Sequence, residues 1–162
     1  MNNRLNNNEN LMFAVGNGMM GDDAAGPLLY QRMISQPIAG WGALDGGSAP
    51  ENHAHTVRAL KPRRLLLVDA SDMGLAPGEI RIIDKDLIAD MFFMSTHNMP
   101  LNFLIEQLEE DIGEIIFVGI QPDIVSFGFP VSEKVKSAVD FLYDLIRENN
   151  LSAIEKLEAA EE

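Results

Sequence analysis

The chain has no cysteine among its 162 residues. Without thiols it can form no disulfide, no thiolate nucleophile and no cysteine-ligated metal site. Any catalytic or metal-binding group must therefore be an oxygen atom or an imidazole ring, and the sequence contains only 3 histidines.

Basic residues are also scarce. Lysine and arginine number 12 against 25 aspartates and glutamates, which gives a formal net charge of −13. Binding to nucleic acid or to an anionic membrane surface depends on clustered lysine and arginine, so we expect neither as a partner. A metal ion, a basic peptide or a neutral molecule fits this charge better.

Long apolar runs are absent, since no segment reaches the roughly 18 uninterrupted apolar residues of a membrane span. The first ten residues, MNNRLNNNEN, lack the apolar centre of a signal peptide, so we expect no membrane insertion and a cytoplasmic location. We predict a disordered leader over residues 1–10 and a single domain over 11–149. Residues 150–162 contain few apolar side chains, and this composition predicts an acidic tail or a frayed helix.

Five short apolar runs alternate with amphipathic stretches along the rest of the chain. The runs are LMFAVGN, WGALDGG, RLLLVDAS, EIRII and EIIFVGIQP. This alternation predicts an α/β fold with a mostly parallel sheet of about five strands, in which EIRII is an edge strand of undetermined direction.

The stretches between the runs have helical periodicity. Their apolar side chains recur at three- and four-residue spacing, which predicts helices that bury one stripe against the sheet. Ser132 stands where it would cap the last of these helices. The expected buried positions are Leu28, Leu29, Met33 and Ile34, then Leu101, Leu104, Ile105 and Leu108, then Val135, Val139, Leu142 and Ile146.

Acidic residues follow three of the predicted strands. Asp22 and Asp23 come after the first strand, Asp45 ends the second, Asp69 ends the third, and His97 precedes a predicted helix. Because the carboxyl ends of parallel strands meet at one edge of a sheet, we expect these side chains to converge. Converging carboxylates repel one another unless a cation or shared protons compensate. Two carboxylates and an imidazole suit nickel or zinc better than calcium or magnesium.

Each of these residues also has a structural interpretation. An aspartate at a strand end is often a turn former or a helix N-cap, and Asp22 would cap the helix that begins near Asp23. Asp23 and Asp69 are therefore the favoured metal ligands, while packing near a helix start explains His97 equally well. Ser48 as a nucleophile is the weakest alternative, because GGSAPE is typical of a turn that leads into a helix.

The longer motifs carry a resemblance to a known family. The segments VGNGMMGDDAAGPLL, LDGGSAPEN, LLLVDASDMGLAPGEIRIID, STHNMPLNFLIEQL and IGEIIFVGIQPDIV occur in this order. Together they resemble the nickel-iron hydrogenase maturation endopeptidases, most closely the branch that processes the large subunit of hydrogenase 3. The resemblance extends from about Leu11 to Arg147. One departure is Ala24, where many relatives have glycine; an alanine in the first helical turn is acceptable there.

The resemblance implies a three-layer α/β/α sandwich and one proteolytic cut, which removes a C-terminal extension from the large-subunit precursor after nickel insertion. The implied cofactor is nickel supplied by the substrate, without an organic cofactor, and the implied partner is the nickel-loaded precursor. The family's metal-binding positions fall on Asp23, Asp69 and His97. Asp23 and Asp69 are then the catalytic candidates of an aspartic-type or metal-assisted hydrolase, with Asp22 and Asp45 as secondary acids.

Two other functions remain compatible with the sequence. The first is a non-enzymatic, nickel-dependent chaperone of the precursor, which would bind the loaded protein without shortening it. The second is a metal-independent hydrolase with Ser48 as its nucleophile.

Overall fold

Strands are interspersed with helices along the described part of the chain. The computed structural model describes residues 9–90 and 101–158. The strands are β1 (Asn10–Ala14), β2 (Trp41–Asp45), β3 (Arg64–Ala70), β4 (Ile80–Ile82) and β5 (Glu114–Ile120). The α-helices are α1 (Ala25–Ser35), α2 (Ala54–Leu60), α3 (Lys85–Asp90), α4 (Leu101–Glu109) and α5 (Glu133–Arg147), with 3-10 turns at Gly21–Ala24, Pro50–His53 and Leu151–Ala153.

The strands form one mostly parallel sheet in the order β2-β1-β3-β5-β4. Strand β1 pairs in parallel with β2 and β3, and β3 pairs in parallel with β5. The sheet predicted from the five apolar runs is confirmed. Strand β4, from the EIRII run, is antiparallel to β5, with Ile80 opposite Ile120. The Pro77-Gly78 turn brings the chain back along the sheet edge, so no crossover helix is needed.

Side chains of alternating strand residues fill two cores, one on each face of the sheet. One core joins Met12 and Leu66 to α1 and α5, and the other joins Phe13 and Leu67 to α2 and α4. Two helical layers therefore cover the sheet, as the predicted three-layer α/β/α sandwich requires. None of the helices within residues 9–90 and 101–158 is both long and apolar enough to cross a bilayer.

Most of the predicted helical stripes are buried. The four apolar positions predicted in α4 and the four in α5 all lie in the core, and Ser132 Oγ accepts a 3.4 Å hydrogen bond from the Val135 amide as the N-cap of α5. In α1, Leu29 and Met33 are buried and Leu28 is partly buried. Ile34 is exposed, contrary to expectation, because a helix turns about 100° per residue and carries it off the stripe of Met33.

Strand β1 begins close to the first described residue. Asn10 already belongs to β1, opposite Trp41, and the Glu9 carbonyl accepts a 2.8 Å hydrogen bond from the Arg63 amide. Strand β1 therefore begins one residue before the predicted boundary at Leu11; residues 1–8 lie outside the described residues.

The segment after α5 is packed rather than frayed. Leu151 and Ile154 are buried in the core with α1 and α5. The Ile82 amide donates to the Glu155 carbonyl at 2.9 Å, and the Leu157 amide donates to the Ile82 carbonyl at 2.8 Å. The prediction of an acidic tail is therefore wrong for Leu151 to Leu157, because their few apolar side chains suffice to cover the edge strand β4.

Candidate functional site

A glycine-dependent loop leads from β1 into α1. The Val15 amide donates to the Val68 carbonyl at 2.9 Å, and the Gly16 amide donates to the Gly47 carbonyl at 2.8 Å. Gly16 has φ +142°, and a Cβ atom there would lie 2.1 Å from the Asp23 carbonyl oxygen. Only glycine allows this contact. The loop therefore folds back so that the Asp23 backbone touches the end of β1.

Asp23 is buried and held by the same loop. Its Oδ2 atom accepts a 2.9 Å hydrogen bond from the Asn17 amide, and the Asn17 Oδ1 atom accepts one of 2.9 Å from the Met19 amide. Asn17 thus fixes both the turn and the Asp23 carboxylate. Ala24 has φ −82°, so the expectation that alanine is unstrained there is confirmed.

Asp69 is buried at the carboxyl end of β3. It lies two residues beyond Leu67, so the alternation of strand side chains places it on the sheet face covered by α2 and α4. The first turn of α1 packs against this end of the sheet: a Cβ atom at Gly26 would lie 2.5 Å from the Val15 carbonyl oxygen and 2.8 Å from that of Val68. The fold therefore brings the loop of Asp23 and the end of β3 to the same edge.

Asp22 is buried in a structural role that differs from the predicted one. It caps neither the 3-10 turn nor α1, because neither has a side-chain cap. Its Oδ1 atom accepts from the Ser132 amide at 2.6 Å. Its Oδ2 atom accepts from the Asp123 amide and the Ser132 hydroxyl, each at 2.8 Å. Asp22 therefore ties the first loop to the loop between β5 and α5.

Replacing Asp22 with alanine should lower the free energy of unfolding by about 3 kcal/mol, because the two amides and the hydroxyl lose a buried charged acceptor. Denaturant unfolding of purified protein measures this change. Asp123→Ala is the matched control: Asp123 is an exposed neighbouring acid whose backbone amide, not its side chain, meets Asp22. We expect that control to lie within about 0.5 kcal/mol of the unsubstituted protein. Equal stability of the two variants would contradict the structural role of Asp22.

Asp45 lies at the same edge but is exposed. Its Oδ1 atom accepts a 3.0 Å hydrogen bond from the Gly47 amide, which is the geometry of an aspartate turn. Ser48, in the following loop, is exposed as well. The structure thus gives Asp45 a turn-forming contact, which is the alternative that the strand-end argument had left open.

The third predicted metal ligand, His97, lies outside the described residues. Within residues 9–90 and 101–158 there is no group of three or more histidine, aspartate or glutamate side chains placed to hold a metal ion. The described residues of the predicted set are the two buried carboxylates of Asp23 and Asp69. The complete three-residue site stays a prediction.

Gln121 is a buried polar residue that sequence reasoning did not single out. Its Oε1 atom accepts hydrogen bonds from the amides of Met73, at 2.7 Å, and Leu75, at 3.2 Å. Its Nε2 atom donates to Asp72 Oδ1 at 3.2 Å. Gln121 therefore fixes the loop that follows Asp69. A glutamine directly after the apolar run FVGI was the available signal, since a polar side chain at the carboxyl end of a strand faces the loops.

Comparison with known proteins gives consistent matches. The family model HycI, hydrogenase maturation protease, matches residues 28–149. The hydrogenase 3 maturation protease of Escherichia coli K12 is 61% identical over 133 residues, which cover 82% of this chain and 85% of that protein. The solution structure of the endopeptidase HycI from E. coli superposes with a TM-score of 0.87 at 55% identity, covering 94% of this chain and 99% of that one. A hydrogenase maturation protease HycI from Thermococcus kodakarensis gives a TM-score of 0.77 at 29% identity, over 88% and 92% of the two chains.

Proposed function

Because the chain belongs to the hydrogenase maturation protease family, we propose that it is the endopeptidase that removes the C-terminal extension of the nickel-iron hydrogenase 3 large-subunit precursor after nickel insertion. The observation that carries this assignment is the 61% identity to a hydrogenase 3 maturation protease over most of both chains. The acidic charge of −13 is compatible with a substrate that presents a metal cation.

Nickel is the part of the substrate that the buried acids would recognise. In this proposal Asp23, Asp69 and His97 bind the nickel that the precursor carries. The support is that Asp23 and Asp69 are both buried at one edge of the sheet. Two carboxylates at one edge of the sheet favour a partner that brings positive charge, because a cation offsets the repulsion between them.

The position of α4 supports the third ligand. Leu101 begins α4 and is buried on the same face of the sheet as Leu67, two residues before Asp69. His97 precedes Leu101 by four residues in the sequence and lies outside the described residues.

Two routes to peptide hydrolysis use these residues. In the first, the substrate's nickel polarises the scissile carbonyl while a carboxylate takes a proton from the attacking water. In the second, nickel only holds the precursor in register, and Asp23 or Asp69 acts alone as the general base. In both routes the reaction depends on a carboxylate at the carboxyl edge of the sheet.

Incubation of the protein with nickel-loaded precursor, followed by mass spectrometry of the large subunit, tests the proposed function. We expect the precursor to lose its C-terminal extension in one cut. Binding that depends on nickel but leaves the mass unchanged would instead identify a chaperone.

Ser48→Ala should process the precursor as fast as the unsubstituted protein, since Ser48 is exposed in a turn. Loss of processing in this variant would identify a serine hydrolase.

A further inference from the structure

An uncharged and apolar surface borders the candidate site. The loop after β5 contains no charged residue from Ile124 to Val131, in a chain whose net charge is −13. Ile124 is 46% exposed, Phe127 72% and Phe129 50%. From the first loop, Met19 is 63% exposed. We refer to Met19, Ile124, Phe127 and Phe129 as the apolar edge.

Backbone hydrogen bonds hold the apolar edge in place. The Gly128 amide donates to the Met19 carbonyl at 2.9 Å, which joins the two loops at the point where Phe127 and Phe129 flank a glycine with φ +80°. The Asp22 amide donates to the Ile124 carbonyl at 2.8 Å. The apolar edge is therefore fixed to the same loop that positions Asp23.

The other exposed apolar side chains within residues 9–90 and 101–158 do not form such a group. Ile34, Phe103 and Phe141 are also exposed, but each lies on a different helix: α1, α4 and α5 respectively. Single exposed apolar residues are normal on protein surfaces and need no explanation. Aromatic and methionine side chains gathered on hydrogen-bonded loops beside a site are instead typical of a binding surface, because they bury a large apolar area when a partner covers them.

We propose that the apolar edge binds an apolar segment of the precursor polypeptide next to the bond that is cut. This proposal rests on the proposed function. An endopeptidase must hold its substrate chain on at least one side of the scissile bond, and the apolar edge is the surface directly bonded to the loop of Asp22 and Asp23. Its lack of charge lets an apolar segment dock without desolvating a carboxylate, while the acids beside it receive the cation.

Exchange of both phenylalanines for serine, Phe127→Ser with Phe129→Ser, tests the proposal. We expect KM for nickel-loaded precursor to rise about tenfold while kcat stays within about twofold, because the lost contacts bind substrate and transition state alike. Phe141→Ser is the matched control, since Phe141 is 56% exposed on α5. Its kinetics should equal those of the unsubstituted protein.

Met19→Ser gives an independent measurement from the other loop, with an expected rise in KM of about threefold. Thermal melting of every variant shows whether it is folded. If the unsubstituted protein cleaves the precursor and KM is unchanged in the folded Met19→Ser and double-serine variants, the docking proposal alone is wrong. Absence of cleavage by the unsubstituted protein would overturn the proposed function. If the double variant converts a dimer into a monomer without raising KM, the apolar edge contacts a second copy of the chain, and the proposal is also wrong.

Discussion

Replacing Asp69 with alanine should reduce processing of the precursor by about 1000-fold or more, and replacing Asp23 should do the same. Each change removes a buried carboxylate from the carboxyl edge of the sheet. In the proposed reaction that carboxylate binds the substrate's nickel or accepts the proton of the attacking water, and a general base or a metal ligand contributes effects of this size. The measurement is kcat/KM for cleavage of nickel-loaded precursor, followed by mass spectrometry or gel shift.

Asp45→Ala is the informative comparison for these variants. Asp45 is also an aspartate at a strand end of the same edge, but it is exposed and accepts a hydrogen bond only from the Gly47 amide among the contacts that the structure describes. We expect processing within about threefold of the unsubstituted protein, because an exposed turn contact contributes little to stability. If Asp45→Ala processes the precursor as slowly as Asp69→Ala, Asp45 takes part in the reaction. If the folded variants Asp23→Ala and Asp69→Ala keep full activity, the proposed site is wrong.

Asparagine at position 69 or 23 separates charge from shape. Asparagine keeps the size of the side chain and one oxygen but carries no negative charge and cannot accept the proton. Asp69→Asn should therefore be as inactive as Asp69→Ala, with a melting temperature closer to that of the unsubstituted protein. Asparagine variants that cleave at the normal rate would show that neither the negative charge nor proton transfer at these side chains is required.

The sheet and the helical stripes could be predicted because they follow from local periodicity. The apolar run RLLLVDAS is long enough to define β3, and the spacing of Leu101, Leu104 and Leu108 defines the buried stripe of α4. The apolar runs do not determine the order of the strands in the sheet. They also do not determine the antiparallel direction of β4, which depends on the conformation of the short turn before it. The last described segment was mispredicted because Leu151 and Ile154 are too few to form a periodic signal, although their burial fixes the segment.

The position of two candidate acids at the strand ends could be predicted from the sequence, but the contacts of the acids could not. Asp23 and Asp69 were recognisable as acids that follow buried strands, and both are buried at that edge. Asp22 was expected to act within its own helix, yet its partners Asp123 and Ser132 are 101 and 110 residues away in sequence. A contact of this range has no local pattern, since it depends on where α5 starts relative to the first loop. Asp45 also stands at the end of a predicted strand, as Asp69 does, but it is exposed, and exposure depends on the fold.

Nickel-loaded precursor should be processed at least about 100-fold faster than nickel-free precursor, measured as kcat/KM under identical conditions. The physical reason is differential binding: a cation compensates the charge of the buried Asp23 and Asp69, whereas a nickel-free precursor must bring its chain against the same acids without that compensation. A 100-fold ratio corresponds to about 2.7 kcal/mol, which is modest for a metal bound by two carboxylates.

Two controls identify the source of this selectivity. Free nickel added to the protein before nickel-free precursor should not restore cleavage, because the proposal makes nickel part of the substrate. The preference for nickel-loaded over nickel-free precursor should also shrink in binding measurements with Asp23→Asn. This change removes one of the two carboxylate charges of the site, while the Asn17 amide that donates to the Asp23 side chain remains. Equal cleavage of loaded and nickel-free precursor would contradict nickel recognition while leaving the peptidase assignment intact. Restoration by free nickel would instead indicate that the metal binds the protease first.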